Sequence, residues 1–238
     1  MTSRSSRDSS PARGCSRSAP GPARRRWNSC GAANAVTGIE LSGELAEIAH
    51  GNVPEAEIDV GDFETWEPRK SGFDVVVALT AFHWIAPEVR YAKPARLLRP
   101  GGALAVVAGP HVLPEEGDPF FAEVQEDYDA VVPHPDNWPP PPPDEVEGWV
   151  GDFEASGHFE HVVERRHLVA LTYSADEYIA VLGTFSDNLA LPEAQREELF
   201  RRIHARIAAQ PSGTVTKHHL LTLTVGRSGH VLVPGTET

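Results

Sequence analysis

The chain has 238 residues, 40% of them apolar, and a formal charge of −13, which is enough for one large domain or one domain with a small cap. No run approaches the roughly 18 apolar residues of a membrane helix. The acidity argues against a nucleic-acid backbone as the main partner, because phosphate contacts need Lys and Arg.

Charge is unevenly spread. Residues 1–33 hold seven Arg and one acid, a balance of +6, which leaves −19 for the remainder. This basic arm is rich in Ser, Arg, Pro and Ala, and it cannot bury enough surface to offset its ordering entropy. No apolar core follows its arginines, so a secretory signal is not expected; the composition suits a transit peptide better, but no amphipathic face is visible. Both cysteines, Cys15 and Cys30, lie in it. The body therefore has no disulfide framework and no cysteine metal site, and a cytoplasmic location is expected.

The arm can also be read in a shifted frame, much of which is permissive because Ala, Pro and Gly codons always yield small residues or Arg when shifted. If each codon's third base is read with the next two from Arg13 onward, one permitted codon choice gives Arg-Val-Leu-Glu-Val-Gly-Ala-Gly-Thr-Gly-Gln-Ala-Thr-Val-Glu-Leu-Val-Arg-Arg-Gly. That peptide reads as a buried strand, a glycine-rich turn and an amphipathic helix. Part of it is forced: Trp27 has a single codon, so Trp27–Asn28 yields Glu, while Arg26–Trp27 and Ser29–Cys30 yield apolar residues. A frameshift ending near Asn34 is one reading of the arm; a disordered tail is the other.

From Val36 the pattern is regular. Val36–Glu40 is expected to be a strand. Ser42 is placed to cap a helix with Leu45, Ile48 and Ala49 on one side, ended by Gly51–Asn52. Glu57–Val60 reads as a short strand before the turn Gly61–Asp62–Phe63. Phe73–Leu79 is a nearly unbroken apolar run, as in a strand buried on both faces of a parallel sheet, and it exits into Thr80-Ala81-Phe82-His83-Trp84. Pro87 suits a helix start, and Pro94 predicts a break within that helix. Arg99-Pro100-Gly101-Gly102 ends it, and Ala103–Ala108 is another buried strand.

The later pattern is looser. Phe120–Val132 has helical spacing, Pro139–Pro143 is extended chain, and Val146–Ala155 suggests a short helix. His161–Ala170 reads as a strand, Ala175–Phe185 and Pro192–Ala209 as helices, and Thr214–Val225 as a late antiparallel strand. The expected division is an arm to residue 33, an α/β core over 34–110, a helical cap over 111–213 and a last strand and tail over 214–238.

A parallel sheet binds its ligand beyond the carboxyl ends of its strands. Glu40, Asp62 and the Thr80–Trp84 segment would all lie there. A carboxylate at the first position can accept both hydroxyls of a ribose, and one at the second can accept from an adenine amino group. Acids also follow strands as plain solvated turn residues. His158, His161, His218 and His219 lack accompanying acids or thiols, so no metal site is expected; the histidines of the late strand read as surface residues. The acidic run Asp144–Glu154 reads as a solvated face.

Taken in order, Val-Thr-Gly-Ile-Glu-Leu-Ser, Gly61-Asp62-Phe63, Ala81-Phe82-His83-Trp84 and Leu98-Arg99-Pro100-Gly101-Gly102 resemble the class I S-adenosylmethionine-dependent methyltransferases that act on small molecules. The resemblance covers about Val36 to Val107, and the late strand fits too. It implies a Rossmann-like, doubly wound, mostly parallel sheet with an antiparallel late strand and a helical cap, and S-adenosylmethionine as cofactor. It also implies cofactor contacts from Glu40, Leu41, Asp62, Phe63 and Thr80. His83 would be a general base or a substrate-orienting group, and Phe82 and Trp84 would border the substrate, although Trp84 suits plain core packing as well. The family's first strand and its Gly-x-Gly-x-Gly turn should precede Val36, and the printed residues show neither; the shifted-frame peptide would supply both. The competing readings are a non-catalytic relic or binding protein that lost the cofactor turn, and a nicotinamide dehydrogenase, whose glycine fingerprint is equally absent. The methyl acceptor and the oligomeric state are not legible.

Overall fold

A computed structural model describes residues 35–131 and 139–229. Two compact units divide at Val60/Gly61. The arm, residues 132–138 and the tail from residue 230 lie outside the described residues, and so do the expectations placed on them.

In the first unit, β1 (Thr37–Glu40) pairs in parallel with β2 (Glu57–Val60), with Glu40 opposite Val60. Between them runs α1 (Gly43–Asn52), whose cap is Ser42, its side chain accepting from Leu45 N. Gly38 packs closely on the neighbouring strand: a Cβ there would meet Ile58 Cδ1 at 2.8 Å, so the end of that side chain would have to move.

In the second unit, β3 (Phe73–Leu79) leads through a 3₁₀ turn at Phe82–Trp84 into α2 (Pro87–Arg90) and α3 (Ala92–Leu97). The expected break falls at Tyr91, three residues ahead of Pro94, which leaves Pro94 in the first turn of the second helix where its missing N–H costs nothing. β4 (Leu98–Ala108) starts earlier than expected, because Arg-Pro-Gly-Gly is absorbed into the strand as an irregularity. Gly101 has φ +74, and a Cβ on Gly102 would sit 3.0 Å from the carbonyl oxygens of Arg99 and Phe73, so both positions need glycine.

After β5 (His111–Val112), the expected helix over 120–132 is two pieces, α4 (Phe120–Glu123) and α5 (Gln125–Val131). α6 (Val150–Ser156) begins later than expected, since the acidic run before it is turn and loop. β6 (Phe159–Ser174) is longer than expected and forms a long antiparallel ladder with β7 (Thr214–Ser228). Between these two strands lie α7 (Ala175–Leu182), α8 (Ser186–Leu189) and α9 (Glu193–Ala208).

The sheet order is β3-β4-β7-β5, with β6 on the other edge of β7; β3 and β4 are parallel, and β7 runs antiparallel to β4. The Rossmann-like α/β reading with an antiparallel late strand therefore stands. Two cores form on it. Leu104, Val106, Phe82, Tyr91, Phe153 and Phe159 pack on one face of the sheet, and Gly226 makes room for Phe153, whose ring would be 2.7 Å from an added Cβ. Near the hairpin tip, Leu199, Ile203 and Ile207 of α9 pack with Val215, Tyr178 and Phe120 on the opposite face.

Candidate active site

Glu40 belongs to the first unit. It is half-buried at the carboxyl end of β1, and its Oε1 accepts from Ser42 N at 3.0 Å. The bond fixes the carboxylate at the strand tip. Leu41 beside it is 75% exposed, a branched apolar side chain with no part in the core.

The other candidates belong to the second unit. Asp62 is exposed and closes its own turn, Oδ1 accepting from Glu64 N at 2.8 Å. The turn is bound to the segment beyond β3: Glu64 Oε1 accepts from Ala86 N at 2.8 Å. Lys93, 3% exposed, donates from Nζ to the carbonyls of Glu64 and Trp66, and its ammonium lies 5.3 Å from the centre of the Phe63 ring. A buried cation thus holds the Asp62–Trp66 loop from beneath. Sequence reading missed both Lys93 and Glu64. The signal for Lys93 was present: it sits four residues from Val89 and from Leu97, on the apolar side of the helical pattern.

Thr80 ends β3 with φ +53. For a β-branched residue this left-handed conformation is strained. It is held by Thr80 N donating to Val107 O and Thr80 Oγ1 donating to Leu79 O, both at 2.8 Å. His83 and Trp84 follow on the exposed side, their rings 4.9 Å apart, and Trp84 is 80% exposed. Core packing is therefore not the role of Trp84.

Phe82 goes the other way. It is 2% exposed, edge-on to Tyr91 and Trp149 at 5.1 Å, with the Arg90 guanidinium 5.7 Å from its ring centre. Its work is to anchor the corner in the core rather than to face a substrate. A hollow of about 410 Å³ is lined by Arg90, Tyr91, Asp152 and His158 among others, and includes none of the candidate residues.

A third group is half-buried where surface residues were expected. His111 and His219 face each other at 5.9 Å across β5 and β7, and His219 Nδ1 is 3.0 Å from Gly109 O. Burial first, and then Lys217, hold His111 down at about 3. Burial likewise pulls Lys217 down to about 8, its ammonium lying 5.2 Å from the Phe185 ring centre. Among the described residues no cluster of His, Cys, Asp and Glu could hold a metal ion. Among them, too, no helix is long and apolar enough to cross a membrane.

The first unit carries a carboxylate at a strand end, and the second carries a turn carboxylate, an aromatic ring and a strained strand exit. Carboxylates accept and do not donate, which fits the hydroxyls and exocyclic amine of a nucleoside. Residues 18–106 match the family described as methyltransferase domain. This stretch is similar to a methyltransferase domain. The match spans every candidate residue, and S-adenosylmethionine is the cofactor of the class. The fold of the domain agrees with a solved structure provisionally described as a type II methyltransferase, from Anaeromyxobacter dehalogenans (18% identity, 82% of each chain, TM-score 0.50). Similar too are the YcgJ protein of Bacillus subtilis (17%, 82% of each chain, TM-score 0.46) and a provisionally described methyltransferase from Bacillus halodurans (16%, 82% of this chain and 84% of that one, TM-score 0.47). No curated protein matches the chain. The methyltransferase-domain match does not favour the relic reading.

Proposed function

We propose that the chain methylates a small-molecule acceptor, with Glu40, Leu41, Asp62, Phe63 and Thr80 serving the cofactor and His83 and Trp84 serving the acceptor. The observation that carries the reading is the tie between the Asp62 turn and the β3 exit. Glu64 to Ala86, and Lys93 to the loop carbonyls, tie the Asp62 turn to the segment that follows the His-Trp corner.

When bound, S-adenosylmethionine supplies a methyl group on a cationic sulfonium, open to in-line displacement. The work of the chain is then orientation and water exclusion. Glu40 accepts from the ribose hydroxyls, and its bond to Ser42 N limits the rotamers it must give up. Asp62 accepts from the adenine amine, and Phe63 offers the base a flat apolar neighbour. His83 takes the acceptor's proton at a ring nitrogen or orients the acceptor through it. Trp84 excludes water from the acceptor side. The helices between Phe120 and Phe185 would act as the cap that selects the acceptor. An acidic surface, formal charge −13, disfavours nucleic-acid acceptors.

Calorimetric titration with S-adenosylmethionine tests this. The reading expects binding heat that weakens tenfold or more in Glu40→Ala and in Asp62→Ala, with folding unchanged by circular dichroism. Equal affinity in all three chains would refute the assignment.

A further inference from the structure

Two lysines of the second unit are buried, and they are not alike. Lys93, 3% exposed, has two carbonyls and the Phe63 ring around its ammonium. Lys217, 7% exposed, has the Phe185 ring centre at 5.2 Å, and among the described residues no carbonyl or carboxylate pairs with it. Burial alone moves its value, downward, with no acid acting to raise it. A desolvated ammonium without a counter-charge costs stability, and this one stands in a chain with an excess of acids, −13 overall.

The fold places Lys217 on the edge that carries the candidate site of this unit. β7 pairs with β4 as far as Thr222, opposite Ala108. Its earlier residues extend past the carboxyl end of β4, His219 by roughly 10 Å and Lys217 further. β3 leaves the sheet on that side, Thr80 N donating to Val107 O, and leads to His83 and Trp84. Lys217 and His219 are two apart on one strand and share a face. His111 of β5 faces His219, and its ring lies 4.5 Å from that of Phe121. Burial first, with Lys217 contributing, holds both imidazoles below their ordinary value, so neither adds charge at pH 7. His219 Nδ1 is 3.0 Å from Gly109 O. A carbonyl only accepts, so Nδ1 holds the proton and Nε2 offers a lone pair.

We propose that Lys217 and His219 form a carboxylate-binding site, and that the methyl acceptor is a carboxylic acid with a hydroxyl or amine beside its acid group. The site rests on the geometry; that its occupant is the acceptor rests on the methyltransferase reading. Lys217 Nζ donates to the carboxylate, and His219 Nε2 accepts from the neighbouring O–H or N–H. Phe121 and Phe185 give the acceptor's apolar part its walls. A carboxylate fits better than a phosphate, because one ammonium supplies one charge and no fork of donors, and the lone pair of His219 repels a second negative charge.

Calorimetric titration of the full chain with mandelate at pH 7, without cofactor, tests this. Mandelate carries a carboxylate, an adjacent hydroxyl and an aromatic body. The proposal expects mandelate to bind, the neutral mandelamide to bind at least tenfold more weakly, and Lys217→Met to weaken mandelate at least tenfold. Without ligand, Lys217→Met should melt no lower than the parent, because it removes an unpaired buried charge and keeps the volume. No mandelate heat at millimolar concentration, equal binding of mandelamide, tighter binding of phenyl phosphate, or unchanged affinity in Lys217→Met overturns the proposal. So does a variant that melts below the parent, since the ammonium would then be serving the fold. Separate titration with S-adenosylmethionine keeps the two readings apart. Lys217-dependent mandelate binding in a chain that gives no cofactor heat upholds the site and refutes the methyltransferase reading. Cofactor heat without mandelate heat refutes the site and leaves that reading standing.

Discussion

Lys93 is the residue on which the candidate site leans most, and nothing in a motif would have named it. Its ammonium is buried yet satisfied by two carbonyls and an aromatic face. Lys93→Met keeps the volume and removes the donor, leaving loop carbonyls with no partner beneath them. The expected loss is about 1–3 kcal/mol, measurable by urea titration, together with weaker cofactor binding as the Asp62 loop loosens. A variant as stable as the parent with unchanged cofactor affinity would show that the loop is held by Glu64 alone.

His111 gives the chain an acid-sensitive point. Its folded value, about 3, lies below the ordinary 6.5 of an unfolded histidine. Between those values the unfolded chain binds the extra proton and the folded chain does not, so stability rises with pH across that window. Stability therefore falls as pH drops from about 6.5 towards 3, with no contribution above. Lys217, about 8 against 10.5, has the same sign between 8 and 10.5. Denaturant midpoints from pH 4 to 8 should show a shallower acid loss in His111→Gln than in the parent and the same profile above pH 7; superimposable acid limbs would show that His111 does not set the dependence.

At the scale of elements, local rules placed the helices wherever the sequence carried a cap. Ser174 and Glu177 form a full capping box at the start of α7, each side chain accepting from the other's backbone N–H. These bonds also hold the Glu177 carboxyl below its usual range. Ser174→Ala is expected to cost about 1 kcal/mol by thermal melting, and no change would mean that packing of Tyr178 and Leu182 alone sets the helix. Elements were misjudged where tertiary contacts outweighed local signals. Arg-Pro-Gly-Gly reads as a stop, but Gly102 lets the strand run through it against the β3 backbone. β6 extends to Ser174 because the β7 ladder supplies partners all along it, which a one-strand pattern does not reveal.

Over the whole molecule, the order of elements was legible because β3 and β4 carry apolar runs and the strands from β1 to β4 are bounded by turn signals. The acids Glu40 and Asp62 were legible for the same reason, since they mark strand ends. The fate of aromatic residues was not: Phe82, His83 and Trp84 are adjacent, and only the packing of Tyr91, Trp149 and Phe153 decides that the first goes inward and the others out. Nor could sequence show that the Phe73–Leu79 run has one face uncovered, with Val75, Val77 and Leu79 all exposed, because an apolar run reads the same whichever face is packed.

The most direct measurement is calorimetric titration of the chain and of its Glu40→Ala variant with S-adenosylmethionine. The account predicts heat from the parent and at least tenfold weaker binding on replacing Glu40. Absence of heat from the parent at millimolar cofactor would contradict it.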